Sequence, residues 1–345
     1  MAKIKLSDGQ FISDYEKPYI VAELNTSHFG NIDTAKAMIS EAKKAGCDCV
    51  KFQSWTENTL YSKSYYEKNP IAKRFVKGFS FSESQLKILA KYSKDCDIAF
   101  ASTPYSNSEV DFLLDECDAP YIKIASMDIN NYTFLEYIAK TDSPIVLSTG
   151  MSDLEEIHNA INIIEKAGNN KICILHCISI YPTEMEAIHL NNIIGLREAF
   201  PNYPIGFSDH SLGIEISSAA IVLGACMIEK HFTLDKTKIG MDNQMAIEPN
   251  EMSALVENCN NIKKSLGNKK RVVSKYELDQ RKLMRRSIIS KKDLKAGTKL
   301  TLDDLDTKRP GTGLPPEMID ELVGKVLVND IDCDMLLNKD DFSDD

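Results

Sequence analysis

The chain has 345 residues, 43% of them apolar and 27% charged, with a formal net charge of −10. That is the balance of a soluble globular protein with room for two domains, or for one large barrel plus an appendage. No apolar run approaches the roughly 18 residues of a membrane span, no Lys/Arg cluster is long, and Met1–Lys17 lacks the apolar centre of a secretion signal. Membrane and nucleic-acid roles are therefore argued against, and the cytoplasm is the expected setting.

The predicted elements repeat one unit, a short apolar run ending in polar residues and followed by an amphipathic stretch. In chain order the first strand is Tyr19–Glu23, and a helix follows over Thr34–Ala45 between the cap Asp33 and the stop Gly46. Cys49–Gln53 is a strand, Ser82 caps a helix over Glu83–Cys96, Ile98–Ser102 is a strand, and Asn107–Cys117 is a helix. Strands at Tyr121–Ala125 and Ile145–Ser148 precede a helix over Leu154–Ala167, capped by Asp153 and stopped by Gly168. Ile172–Cys177 and Ile205–Ser208 are strands, Ile214–Leu223 is a helix before Gly224, and Met227–His231 is the eighth strand. Strands alternating with helices pair in parallel, and eight units in about 250 residues is the size of a closed (β/α)8 barrel. An open doubly wound sheet is the alternative; its usual Gly-rich loop after the first strand is absent.

The pattern changes after residues 250–266. The basic stretch Gly267–Lys275 reads as a linker, and short strands and turns follow from Arg285. The expected organisation is a barrel over residues 1–266, a linker over 267–284 and a small mostly-β domain over 285–345, with Ser343–Asp345 frayed. The nine cysteines include no CxxC pair, and several sit in apolar runs, so they read as reduced buried thiols.

Chemistry in such a barrel sits at the carboxyl ends of the strands. Those ends carry Glu23, Lys51 with Gln53, Ser102-Thr103, Lys123 with Ser126, Ser148-Thr149, His176 and Ser179, Ser208 with His210, and Glu229 with His231. Period-two alternation puts Lys51 beside Gln53 on one face, and Glu229 beside His231. A buried lysine is costly without an anion, so two lysines amid a ring of hydroxyls point to a multiply charged phosphate ester. The alternative is that each lysine pairs structurally with a carboxylate. His210 and His231 close neighbouring strands and put two imidazoles within reach of one divalent cation, with Asp209 and Glu229 as candidates to orient them. His28 is a candidate pocket residue; His158 and His189 read as solvated.

Nine stretches in order resemble the sialic acid (nonulosonate) synthase family. They are Ile20-Val-Ala-Glu23 with His28-Phe-Gly30, Val50-Lys-Phe-Gln53, Ala101-Ser-Thr-Pro104, Tyr121-Ile-Lys-Ile124 with Ser126, Leu147-Ser-Thr-Gly-Met151, Leu175-His-Cys177 with Tyr181-Pro-Thr183, Gly206-Phe-Ser-Asp-His210, Ile228-Glu-Lys-His-Phe232, and a tail with Arg286-Ser287, Lys295-Ala-Gly297 and Lys308-Arg-Pro-Gly311 that is similar to the family's antifreeze-like (SAF) domain. Asn25-Thr-Ser27 stands where the family more often has Gly-x-Asn, and Asp128 where it often has Glu.

The resemblance implies that Lys51, Thr103, Lys123, Ser126, Ser148, Ser179 and Ser208 hold phosphoenolpyruvate. It implies that His210 and His231 hold a divalent metal, Mn2+ or else Mg2+ or Co2+. Gln53, Tyr181 and Asp242 would meet an N-acetylated hexosamine, with Arg309 of the partner subunit in a domain-swapped homodimer, and Glu23 and Asp128 would be the acid/base carboxylates. The implied reaction condenses phosphoenolpyruvate with the open-chain sugar to a nine-carbon sugar acid and phosphate. Its acceptor could be N-acetylmannosamine or a 2,4-diacetamido-6-deoxyhexose leading to legionaminic or pseudaminic acid. A Schiff base on a pocket lysine, a metal-dependent aldolase and a non-catalytic carbohydrate-binding protein are the competing readings.

Overall fold

The computed structural model describes residues 1–343. It forms two compact units, Met1–Gly267 and Asn268–Asp345. Of the expected frayed end Ser343–Asp345, the last two residues lie outside the described residues.

The chain opens with an antiparallel hairpin, β1 (Lys3–Lys5) and β2 (Phe11–Ser13). Eight parallel strands follow: β3 (Tyr19–Glu23), β4 (Cys49–Gln53), β5 (Ala99–Thr103), β6 (Ile122–Ile124), β7 (Ile145–Ser148), β8 (Ile172–Cys177), β9 (Ile205–Asp209) and β10 (Met227–His231). Their spatial order is β5-β4-β3-β10-β9-β8-β7-β6, and β5 lies against β6 to close the ring. The (β/α)8 reading therefore holds.

Alternation divides each strand between two cores. Ile20, Ala22, Val50, Phe52, Ile122 and Ile124 face outward and are buried against the surrounding helices. Tyr19, Val21, Cys49, Ala101, Tyr121, Val146, Cys173, Leu175 and Met227 fill the barrel interior. Ile4, Leu6 and Ile12 join that inner cluster, so the N-terminal hairpin plugs the amino-terminal mouth. Two strands of three residues are too short for periodicity to reveal from sequence.

Most boundaries fall within a residue or two of expectation. The helix expected at Thr34 starts at Ile32, and its cap is Asn31, whose side chain accepts from the Thr34 amide; Asp33 instead lies in the first turn. Ser82 and Asp153 do cap their helices, and Gly46 ends its helix at φ 91°, a left-handed conformation that suits glycine. Between β4 and β5, an excursion with helices Lys63–Lys68 and Pro70–Phe79 carries its own small cluster of Trp55, Tyr66 and Val76. No helix among the described residues is long and apolar enough to cross a membrane.

The second unit opens with an exposed helix, Lys275–Met284, inside the stretch expected to be linker. An antiparallel pair follows, β11 (Ser287–Ser290) and β12 (Leu305–Lys308), around a core of Ile288, Leu294, Leu300, Leu305, Leu314, Leu322, Leu327 and Leu337.

Ile12 is wholly buried in the plug. Its replacement by Ala is expected to lower the unfolding free energy by about 2–5 kcal/mol, measured by urea denaturation. A loss under about 0.5 kcal/mol, the size of a surface substitution, would place the hairpin outside the cooperative core.

Candidate active site

The last inward residues of the strands converge on a cavity of about 400 Å³ at the carboxyl end of the barrel. Its floor is a ring of charges. Glu23 on β3 and Lys51 on β4 are register partners and form a buried ion pair. Lys51 Nζ also donates to Thr103 Oγ1 at 3.2 Å and lies 3.8 Å from Glu229 Oε1 on β10. Lys123 Nζ on β6 lies 4.0 Å from the same oxygen and donates to Ser148 Oγ at 2.6 Å. Ser208 Oγ donates to Glu229 Oε1 at 3.1 Å, while Glu229 Oε2 has no hydrogen-bond partner.

Burial raises the Glu23 carboxyl above the ordinary carboxylate range, against the pull of Lys51, and the charge of Glu229 adds to the rise. Burial opposes ionisation of Glu229 too, but Lys123 and Lys51 outweigh it and hold that carboxyl low. Burial alone would lower Lys51; Glu229 and Glu23 overcome it and hold the ammonium above its usual range. For Lys123 burial wins, and its affinity for a proton falls. Glu229 is thus held as a carboxylate and Lys51 as an ammonium, while Glu23 takes up a proton more readily than an ordinary carboxyl and Lys123 holds its own less tightly than an ordinary lysine.

A lysine on β10, between Glu229 and His231, provides the control for the structural alternative. Lys230 faces the outer layer, where its Nζ meets Asp209 Oδ2 at 2.8 Å and the Ser211 carbonyl at 2.6 Å. Asp209 is further bonded to Ser217 and the Ser211 amide, so this pair is saturated and opens on no cavity. Lys51, although paired with Glu23, and Lys123, which has no close carboxylate, both lie at long range from Glu229 and line the cavity. Asp209 is accordingly no orienter of the cavity histidines, because it sits one residue out of phase with Ser208 and His210.

The same phase rule corrects other strand-end expectations. Ser102 meets Ser54 Oγ at 2.6 Å, Thr149 donates to the Leu175 carbonyl, and His176 Nε2 meets the Ile188 carbonyl at 2.7 Å with its ring on Phe207. All three serve the wall. His28 is no pocket residue either: its ring stacks 4.2 Å from Phe81, and burial lowers it to about 3.

Above the floor, Ser126 and Ser179 flank Gly150. Gly150 N donates to Ser126 Oγ at 3.0 Å, and a Cβ there would collide with Ser179 Oγ and come within 2.9 Å of Ser126 Oγ. His210 and His231 lie with ring centroids 5.3 Å apart, and Tyr181 is 4.2 Å from His210. The Ile178 carbonyl is 2.7 Å from His210 Nδ1, which fixes that nitrogen as the N–H and leaves Nε2 with its lone pair. Burial pushes the His231 imidazole well below its usual value, and its Nδ1 is buried without a partner. Two imidazoles, each with a ring nitrogen that no protein hydrogen bond takes up, fit a divalent cation, and among the described residues no cluster of three or more His, Cys, Asp or Glu forms a fuller cage.

Gln53, Tyr181 and Asp242 line the cavity, and Asn25 donates to Asp242. Asp128 does not line it: Oδ1 accepts from Asn131 Nδ2 at 3.2 Å, and Oδ2 is buried without a partner. Arg309 is exposed in the loop after β12 of the second unit. Sequence reasoning missed Trp55, Tyr105, Cys177 and Met241 in the wall, and gave Glu229 only an orienting part. Trp55 and Tyr105 continue the inward alternation two residues beyond Gln53 and Thr103, a signal the strand ends had concealed. A larger groove of about 990 Å³ lies at the amino-terminal side, lined by Lys87, Lys91, Ile88 and Leu114 among others, without a convergent buried polar set.

The profile of the NeuB family matches residues 38–271, and that of the SAF domain matches residues 285–343. The chain belongs to the NeuB family. It is 37% identical over 340 residues to the N,N'-diacetyllegionaminic acid synthase of Campylobacter jejuni, covering 94% of this chain and 100% of that protein. It is 34% identical over 341 residues to the N-acetylneuraminate-9-phosphate synthase of Mus musculus, covering 96% and 94%. The crystal structure of the N-acetylneuraminic acid synthetase of Leptospira borgpetersenii in complex with citrate superposes with a TM-score of 0.73 at 33% identity, covering 81% of this chain and 94% of that one.

Within this NeuB-family cavity, Gly150→Ala tests the hydroxyl cradle. The variant is expected to fold normally and to raise the KM for phosphoenolpyruvate at least about tenfold, equivalent to about 1.4 kcal/mol, because Ser126 and Ser179 must part. An unchanged KM would mean that the cradle does not touch that ligand.

Proposed function

We propose that this chain condenses phosphoenolpyruvate with an N-acetylated hexosamine to give a nine-carbon sialic-acid-type sugar acid and phosphate. The observation that carries this reading is the pair of buried lysines, Lys51 and Lys123, facing a cavity that His210 and His231 also line. A saturated structural pair such as Lys230 with Asp209 needs no cavity, and a binding protein needs no buried acid beside the anion.

Lys51 and Lys123 hold the phosphate, with Thr103, Ser126, Ser148, Ser179 and Ser208 as neutral donors around the ligand. Gln53, Tyr181 and Asp242 orient the sugar. The alkene carbon of phosphoenolpyruvate attacks the sugar aldehyde, whose oxygen takes up a proton. Water adds at the carbon that bore the phosphate ester and loses a proton to a carboxylate. The tetrahedral adduct then breaks its C–O bond, and phosphate leaves against the two ammonium groups. Glu23 is favoured over Asp128 as the acid/base, since it lies on the cavity floor with a carboxyl that exchanges protons more readily near neutrality. A divalent cation, Mn2+ or else Mg2+ or Co2+, would be held by His210 and His231 and would polarise the aldehyde. Arg309 of the partner subunit completes the sugar site in a domain-swapped homodimer, which its exposure in a Pro/Gly-rich loop supports. The nine unpaired cysteines fit a reducing cytoplasm.

Two measurements test the chemistry. Phosphoenolpyruvate labelled with oxygen-18 at the bridging position is expected to deliver its label to phosphate; label kept in the sugar acid would contradict C–O cleavage. An aldolase acting on pyruvate would release no phosphate at all. Exhaustive chelation is expected to stop turnover and Mn2+ to restore it, whereas full activity after chelation would remove the two-histidine metal site.

A further inference from the structure

Among the described residues, nine other than glycine hold a positive φ. Six of them are Asp, Asn or His, the types that tolerate the left-handed region. The other three are Tyr15, Phe29 and Met151. Two of these are held by their own packing. The Tyr15 ring lies 4.8 Å from the Arg197 guanidinium, and a Cβ on Gly224 would collide with it. The Phe29 ring meets Phe79 at 5.9 Å, and a Cβ on Gly240 would come within 3.2 Å of it. Met151, at φ 63°, has no such anchor, and its side chain is 71% exposed.

The turn that carries Met151 accounts for its backbone but not for its side chain. Thr149 N donates to the Leu175 carbonyl, Gly150 N donates to Ser126 Oγ at 3.0 Å, and Asp153 caps the helix Leu154–Lys166. Between those anchors the chain turns through one left-handed residue, a conformation glycine adopts without strain. A methionine is strained there, and its exposed chain recovers little burial in return. Met151 lines the active-site cavity together with Ser126, Ser148 and Ser179. It also lines a side cavity of about 580 Å³ with Leu154, Ile157 and Leu196. A chain that lines both is a partition between a polar space and an apolar one.

We infer that Met151 is a wall of the phosphoenolpyruvate site, laying its thioether chain against the alkene end of the ligand beside the Ser126 and Ser179 hydroxyls. The inference rests on the synthase reading above. Lysines and hydroxyls match the phosphate and the carboxylate of that ligand, whereas its alkene carbon calls for an apolar, polarisable surface. Bound ligand covers the thioether chain, and that contact offsets the backbone strain. Glycine at this position relieves the strain and loses the contact, so stability and affinity move in opposite directions.

Calorimetric titration of phosphoenolpyruvate and thermal unfolding, both on the full-length wild type, Met151→Gly and Met151→Leu, test this. Met151→Gly is expected to raise Tm by about 2 °C or more, the response of a large domain to relief of one strained residue. The same variant is expected to bind phosphoenolpyruvate at least about fivefold more weakly, the scale of one partly buried apolar side chain. Met151→Leu keeps an apolar chain on the same backbone and is expected to bind at least about threefold more tightly than Met151→Gly. Wild-type affinity in Met151→Gly would overturn the inference, since the turn alone would then account for the residue. Weaker binding with a lowered Tm would overturn it as well, because Met151 would then serve the fold, and so would a Met151→Leu variant that binds no better than Met151→Gly. If the wild-type protein binds no phosphoenolpyruvate, the synthase reading itself fails, and this inference with it.

Discussion

Everything at the carboxyl end of the barrel depends on two ammonium groups and two carboxylates sharing one buried floor. Glu23, Lys51, Lys123 and Glu229 arrive on four different strands, and each is at most 5% exposed. Removing one such charge from water costs several kcal/mol, and mutual attraction repays it only with good geometry. Here the geometry is deliberately incomplete. Lys51 has a close partner in Glu23, but Glu229 stands 3.8 Å and 4.0 Å from the two lysines and leaves one oxygen unsatisfied. An anion entering the cavity would supply what the floor lacks.

The fold makes that floor possible. A strand end in a closed barrel can bury a side chain while its neighbour faces the helices, so reactive and structural groups alternate along one strand. On β10, Glu229 and His231 serve the cavity while Lys230 between them is locked to Asp209. The hairpin plug with Ile4, Leu6 and Ile12 closes the other end of the interior, leaving the carboxyl end for chemistry. Close approach above the floor depends on one missing side chain, at Gly150, where the Ser126 and Ser179 hydroxyls occupy the space of a Cβ.

Much of this was legible in the sequence because strand burial and strand phase are local properties. Tyr19–Glu23, Cys49–Gln53 and Met227–His231 are apolar runs with polar inward ends, and they form where that pattern places them. What stayed hidden depends on partners distant in the chain. His28 looks like a pocket residue beside the first strand, and only Phe81, from another element, takes it out of play. Asp209 and Glu229 look interchangeable as orienters until register sets one outward and one inward. Trp55 and Tyr105 lie in loops, where alternation is no longer implied, and they join the site because Gln53 Oε1 gathers them both. The strands of the hairpin are too short for their alternation to stand out, and the helix Lys275–Met284 buries no residue and so bears no stripe for periodicity to show.

The proposed reaction requires that the floor lysines hold the phosphate of phosphoenolpyruvate. Calorimetric titration of phosphoenolpyruvate into the wild-type protein, Lys51→Ala and Lys123→Ala addresses it directly, without the sugar and without turnover. Each substitution is expected to weaken binding by about 1.5–3 kcal/mol, the worth of one charged hydrogen bond, with circular dichroism showing a folded barrel. Wild-type affinity in both folded variants would mean that these lysines serve the barrel rather than the ligand, and would contradict the assignment of the site.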